Sequence, residues 1–258
     1  MHKKSLGIAV AVGAAALLAI TGCGSSPSAS SASAKKSVVF IQEVTGNDFS
    51  STEACGVHAG AKKYGYSYST TGPSAFDATQ QTQYVNSVAA KSPSGVLIGP
   101  DDNVALKAPM LAMKSRGIKL VELDTSLQDK TISISHISSD NTAGGELAAK
   151  TLSKLIDAKG SVLIVGLRPG ITTDDQRIAG FRDWITKNAP EIKLIATQYD
   201  NNDPAKSASI VTAQLSSTPE LNAIFGVDLN NVVGAATGLK QAGAASRVKL
   251  VGFDAGPQ

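Results

Sequence analysis

Nine short runs rich in β-branched and aliphatic residues recur from residue 38 onward, at 38–44, 66–71, 95–99, 118–124, 131–137, 161–167, 193–199, 223–228 and 248–254. Several, such as VVFI, VLIG and VLIV, are continuous apolar runs without polar alternation. That pattern fits parallel strands covered on both faces better than half-exposed antiparallel ones. The stretches between them are long enough for helices. Residues 140–157 place Leu147, Ala148, Thr151, Leu152, Leu155 and Ile156 on one helical stripe, with Asp140 or Ser139 as its N-cap. A second helix is expected over 51–64. The alternation is a βαβ series, so the expected fold class is α/β with doubly wound parallel sheets.

The first 36 residues do not fit this pattern. Lys3 and Lys4 precede an uninterrupted run of small and apolar residues from Leu6 to Ile20, too short for a spanning helix, which needs about 20. Residues 1–22 therefore read as a secretory signal. It closes on Ile20-Thr21-Gly22-Cys23, which resembles the bacterial lipobox, so Cys23 is the expected lipidation site and the membrane a partner through that lipid. Ile20 stands where Leu is usual. Residues 23–36, rich in Ser and Ala, read as a flexible tether. With Cys23 so used, Cys55 has no partner in the chain and is expected to be a small buried hydrophobe.

Composition narrows the chemistry. The chain has 24 Lys plus Arg against 21 Asp plus Glu, and removing Lys3 and Lys4 with the leader leaves nearly equal numbers. Charge-driven nucleic-acid binding needs a basic surplus, so no nucleic-acid partner is expected. Two Cys and three His are too few for a zinc module, and His58 and His136 read as structural. No phosphate-cradling glycine loop, nucleophile elbow or H-E-x-x-H motif occurs. The run at 200–203 resembles a calcium loop but breaks at Pro204, which suits the first turn of a helix instead. No metal, cofactor or catalytic residue is expected.

Two internal echoes divide the body. Ser115-Arg116 followed by Lys119-Leu120-Val121 and Asp124 matches Ser246-Arg247 followed by Lys249-Leu250-Val251 and Asp254. One strand earlier, Gly99, Asp101 and Asn103 match Gly226, Asp228 and Asn230. Two echoes in the same order at similar offset point to two similar lobes. The expected division is a lobe over 37–130, a crossover strand over 131–138 and a second lobe over 139–258. Ligands in open α/β sheets sit beyond the carboxyl ends of the strands. Asp124, Asp228 and Asp254 each end a strand, so facing lobes would bring them into one cleft; each could equally cap a helix or make a local turn. After the first strand, Asn47 and Phe49 add an amide and an aromatic. Carboxylates, amides and an aromatic face are the mixture that recognises a sugar's hydroxyls and its apolar C–H face.

Ile137-Ser138-Ser139-Asp140-Asn141 with Gly144-Gly145, Gln176-Arg177 with Gly180-Phe181, and Val251-Gly252-Phe253-Asp254 together resemble bacterial sugar-binding proteins of ABC importers. These are type I periplasmic binding proteins of the ribose, rhamnose and autoinducer-2 group. The resemblance implies a two-lobed receptor that takes a sugar or sugar-like polyol between its lobes and hands it to an ABC permease at the outer face of the cytoplasmic membrane. It implies ligand contacts at Asn47, Phe49, Asp124, Asp228 and Asp254. Thr125 and Asp175 stand where ribose-type members carry Arg, Ser50 replaces a second aromatic, and Glu43 occupies a position where the autoinducer-2 receptor uses Lys; Asp175 is kept as a site candidate. The resemblance also implies a further helix, strand and crossover after residue 254, so the second lobe is expected to be C-terminally incomplete and to bind ligand weakly. A carboxylate-based carbohydrate-active enzyme and a sensor feeding a membrane kinase are the alternatives.

Overall fold

The computed structural model describes residues 36–254; Cys23, the leader and nearly all of the tether lie outside them. Within that body two parallel sheets form in succession. The first uses β1 (Ser37–Ile41), β2 (Ser67–Thr71), β3 (Gly95–Ile98), β4 (Lys119–Leu123) and β5 (Ser135–Ile137), in the spatial order β2-β1-β3-β4-β5. The second uses β6 (Gly160–Gly166), β7 (Ile192–Leu194), β8 (Gln198–Tyr199), β9 (Leu221–Gly226) and β10 (Lys249–Gly252), in the order β10-β9-β6-β7 with β8 also on β6. Matching β6 to β1, β7 to β2, β9 to β3 and β10 to β4 gives the same strand order in both. The echoed segments thus occupy equivalent strands.

Helices α1 (Asp48–Lys63), α2 (Ala78–Lys91) and α3 (Lys107–Ser115) serve the first sheet, and α4 (Asn141–Leu155), α5 (Thr172–Asn188), α6 (Pro204–Ser217) and α7 (Leu229–Gln241) the second. The continuous apolar strand β6 is buried along six of its seven residues, as burial on both faces requires. One of its faces packs Val162 and Ile164 against Leu152, Phe181 and Ile185 of α4 and α5. The other packs Leu163 and Val165 against Val211 of α6 and Leu239 of α7. In the first sheet Ile41, Val96, Ile98 and Leu120 meet Val85, Met110 and Met113 of α2 and α3.

Several boundaries differ from the sequence expectation, each for a local reason. Residues 131–134 do not join β5, because Asp129 accepts hydrogen bonds from the Thr131 N–H (3.1 Å) and hydroxyl (2.6 Å) and holds that segment in a turn. The run 193–199 splits into β7 and β8. Leu194 pairs with Val162 and Gln198 with Val165, four steps against three, so one extra residue must bulge out. Helix α1 begins at Asp48 rather than 51, since the Asn47 side chain accepts from the Ser50 N–H at 2.8 Å and caps it. Cys55 is exposed, a correction to its expected burial: α1 buries Ser50 and Ala61 and turns Cys55 to solvent. Of the two histidines, exposed His58 stacks on Tyr68 at 5.1 Å. Pro204 opens α6 behind the Asp203 cap.

The glycines of the quoted motifs act through helix contact. A Cβ on Gly145 of α4 would lie 2.1 Å from the Arg177 carbonyl oxygen of α5, and one on Gly180 of α5 would lie 2.2 Å from the Thr142 carbonyl oxygen of α4. The two helices therefore approach backbone to backbone. Gly145→Ala and Gly180→Ala are each expected to cost about 1–3 kcal/mol by overpacking. Gly56→Ala, with open space around its Cβ in mid-helix, should instead add about 0.5–1 kcal/mol. Urea denaturation of the three variants beside the parent checks the sign of each.

Candidate functional site

The carboxyl ends of the strands of both sheets open onto one cleft, the position at which open α/β sheets hold their ligands. From the first half, the segment after β1 contributes Glu43, Asn47 and Phe49; the β2–α2 loop contributes Phe76; the turn after β4 contributes Asp124 and Thr125. From the second half come Leu167 and Ile171 after β6, Asp174 and Arg177 of α5, Asn202, Asp228 and Asn230 after β8 and β9, and Asp254 after β10. Chain folding places these residues together because parallel strands with helical returns all point the same ends the same way.

Asp124 and Asp254 both adopt the left-handed conformation, at φ 54° and 63°, which Asp tolerates better than most side chains. Among the described residues neither caps a helix, and both line the cleft. Asp228 does two things at once. Its Oδ1 accepts the Asn231 N–H at 3.0 Å and caps α7, while its other carboxylate oxygen is buried without a hydrogen-bond partner among the described residues. Asn47 likewise caps α1 and lines the cleft. Phe49 is 40% exposed and offers its ring at the mouth.

Asp175 requires correction. It is not among the residues lining the cleft; its carboxylate accepts the Gly170 N–H at 3.1 Å. Helical residues point about 100° apart, and in the first turns of α5 it is Thr173, Asp174 and Arg177 that face inward. The α5 sequence carried that signal in its i, i+3 pair Asp174 and Arg177, both buried. Phe76, in a turn rich in small residues, had no sequence signal.

Arg177 is the cleft's cation. It is only 4% exposed and is held through Nε and Nη1. Its Nε donates to the Asn141 side chain at 2.8 Å, and Nη1 donates to the Val227 carbonyl at 3.0 Å and to Asp254 at 3.2 Å. Its guanidinium also lies 3.8 Å from the Phe253 ring centroid. Outside the cleft, further contacts join its two walls. The Thr172 hydroxyl accepts the Ser126 N–H at 2.8 Å and donates to the Ser126 carbonyl at 2.7 Å. The Asn103 N–H donates to the Gly170 carbonyl at 3.1 Å. Arg168 pairs with Asp102 at 3.3 Å, donates to the Asp101 carbonyl and overlies Phe76.

The periplasmic binding protein domain matches residues 38–258. The chain belongs to that family. It is 27% identical over 228 residues to the D-ribose/D-allose-binding protein of Pseudomonas aeruginosa, covering 85% of this chain and 71% of that protein. The ribose import binding protein of Escherichia coli is 25% identical over 226 residues, covering 88% and 75%. Among solved structures, an ABC transporter solute-binding protein from Agrobacterium vitis bound with α-D-tagatopyranose superposes with a TM-score of 0.83 at 33% identity, covering 86% of this chain and 78% of that one. One from Actinobacillus succinogenes with bound D-allose gives 0.77 at 26% identity, with 86% and 80% covered. These likenesses confirm an α/β fold of the type I periplasmic binding class with parallel sheets.

The cleft of this family member is strongly acidic, and burial makes Asp124, Asp174, Asp228 and Glu43 resist ionisation. Burial raises Asp124 to about 6, with Arg177 pulling it down and Asp254 pushing it up. Burial likewise raises Asp174 to about 7, opposed by the Leu167 N–H and Arg177. Glu53, behind Glu43, is raised to about 8 by burial and then by Asp124. Glu43 and Asp228 are raised by burial first and by neighbouring carboxylates second. Each of these groups holds its proton more tightly folded than unfolded, where carboxyls titrate near 4. The folded chain thus binds more protons between about pH 4 and 8, and stability falls as pH rises through that window. Asp102, whose pKa is lowered, acts only below it. Melting at pH 5 is expected at a higher temperature than at pH 8, and Asp174→Asn should flatten the difference. A melting temperature that climbs from pH 5 to 8 would contradict this charge arrangement.

Proposed function

We propose that this chain is an extracytoplasmic solute-binding protein that captures a sugar or sugar-like polyol in the cleft and delivers it to an ABC permease. The observation that carries the proposal is the cleft lining: Asp124, Asp228 and Asp254 from strand ends of both sheets, the amides of Asn47 and Asn230, and the rings of Phe49 and Phe76. Carboxylates and amides pair with ring hydroxyls, and aromatic faces cover the C–H face of a pyranose or furanose. The sugars bound by the Agrobacterium vitis and Actinobacillus succinogenes relatives support the same ligand class. The contacts joining the cleft walls, Thr172 to Ser126 and Arg168 to Asp102, suit a receptor whose lobes close on their ligand.

Anchoring belongs to the same proposal. Among the described residues no helix is long and apolar enough to cross a membrane, and Cys23 with its preceding lipobox-like residues supplies a lipid tether. The protein then works at the outer face of the cytoplasmic membrane, in the periplasm or at the cell surface, with the tether over 23–36 and lobes over 37–130 and 139–258 joined by the strand over 131–138.

A thermal-shift screen of pentoses, hexoses, deoxysugars and polyols identifies the ligand, since one that binds only the folded state raises the melting temperature. With that ligand, Asp124→Ala is expected to weaken binding about tenfold to a hundredfold, the contribution of a charge-assisted hydrogen bond. Lost stability at unchanged affinity would remove Asp124 from the site. Recovery of the sugar unchanged after prolonged incubation separates a receptor from a carboxylate-based hydrolase. For the anchor, Cys23→Ala should move the protein from the membrane fraction to the soluble fraction with its melting unchanged; continued partition with membranes would exclude the lipid tether.

A further inference from the structure

Glu43 is the unusual member of the cleft. It follows β1, is 3% exposed and lines the cavity, yet no amide, hydroxyl or cation among the described residues reaches its carboxylate, which meets only another acid, Glu53. Its carboxylate lies so close over Gly99 that a Cβ there would fall 1.6 Å from Oε1, so the position just after β3 has no room for a side chain. The charged groups that face Glu43 are Glu53 from α1, Asp124 after β4 and Asp101 after β3, all of them acids. The cleft as a whole is lined by Glu43, Asp124, Asp174, Asp228 and Asp254 against one guanidinium. That guanidinium, Arg177, is already used by Asn141, Val227 and Asp254.

A buried carboxylate without a partner is costly and must find a proton, a metal or a cation. Among the described residues no set of three or more acid, imidazole or thiol groups is placed to hold a metal ion. A proton is available when Glu43 and Glu53 share a hydrogen bond. A cationic ligand would do better, because an ammonium brings three donors as well as its charge. We propose that the ligand of this cleft carries a protonated amine, as in an amino sugar or amino-bearing polyol, and that Glu43 is the group that pairs with it. This rests on the sugar-binding reading and narrows it. Glu43 and Glu53 hold their protons more tightly than free carboxyls in the protein alone, so binding an ammonium expels a proton and affinity rises with pH while the amine stays protonated.

Calorimetry on the full chain with matched pairs tests this: glucose and glucosamine, galactose and galactosamine, mannose and mannosamine, with the N-acetyl derivative of each as a neutral control of similar size. At least one amine is expected to bind about tenfold or more tighter than both its parent sugar and its N-acetyl form, the scale of one charge-assisted hydrogen bond. Its affinity should rise from pH 5.5 to 7, and titrations in buffers of different ionisation enthalpy should show proton release. Glu43→Gln, which keeps the shape and removes the charge, should abolish the preference for the amine. A parent sugar that binds as tightly as its amine, or an amine preference that survives in Glu43→Gln, overturns the proposal while leaving sugar binding intact. Failure of every neutral and amino sugar, including ribose, allose and tagatose, would overturn the sugar reading and this proposal with it.

Discussion

The Arg177 guanidinium is where the architecture and the site meet. A charge buried this deeply survives only if hydrogen-bond acceptors and a counter-charge lie close. Here α4 supplies an amide through Asn141, the residue after β9 supplies a carbonyl, the turn after β10 supplies Asp254, and the ring of Phe253 covers the guanidinium face. Three segments besides α5 therefore depend on one side chain. Removing it would leave Asp254 and the Val227 carbonyl unpaired together, so the position couples stability to the shape of the cleft wall.

That arrangement needs α5 to lie close against α4, and the glycines permit it. Gly145 faces the Arg177 carbonyl and Gly180 faces the Thr142 carbonyl, so each helix offers a notch to the other's backbone. Gly144 does the same for Phe253, whose ring would meet a Cβ there at 2.3 Å. The seat of the Phe253 ring therefore fixes the face on which Arg177 lies. From α5 the chain also reaches the opposite wall, through Thr172 to Ser126. One helix N-terminus thus supplies a cleft carboxylate (Asp174), the cleft's cation and a contact that joins the two walls.

The fold was largely legible in the sequence because it rests on long apolar runs and on cap residues with local signals. Every one of the nine strand segments contains a strand, and Asp140, Asp203 and Asp228 cap the helices that follow them. What sequence could not resolve is orientation within a turn. Asp174 and Asp175 are adjacent acids, and only the rotation of α5 sends one into the cleft and the other to the Gly170 N–H. Cys55 fails for a related reason: its residue type favours burial, but its helix is covered at few positions, and packing decides which face is inward. Phe76 reaches the cleft from a loop, where no periodicity exists to read.

The internal echo has a deeper consequence. Asp124 and Asp254 occupy equivalent strand ends and share the left-handed backbone, and the cleft receives a carboxylate from each sheet. The second echoed pair differs in its surroundings. Asp228 caps α7 and lines the cleft, whereas Asp101 is wholly buried, lies outside the lining, and is raised to about 8 by burial. Its neighbour Asp102 instead makes two backbone bonds and the ion pair with Arg168. One of the two echoed segments thus lines the site and the other takes part in the contact between the walls. That asymmetry follows from the partners each found: Asn231 and the cleft for Asp228, and Arg168 of the opposite wall for the Asp101-Asp102 turn.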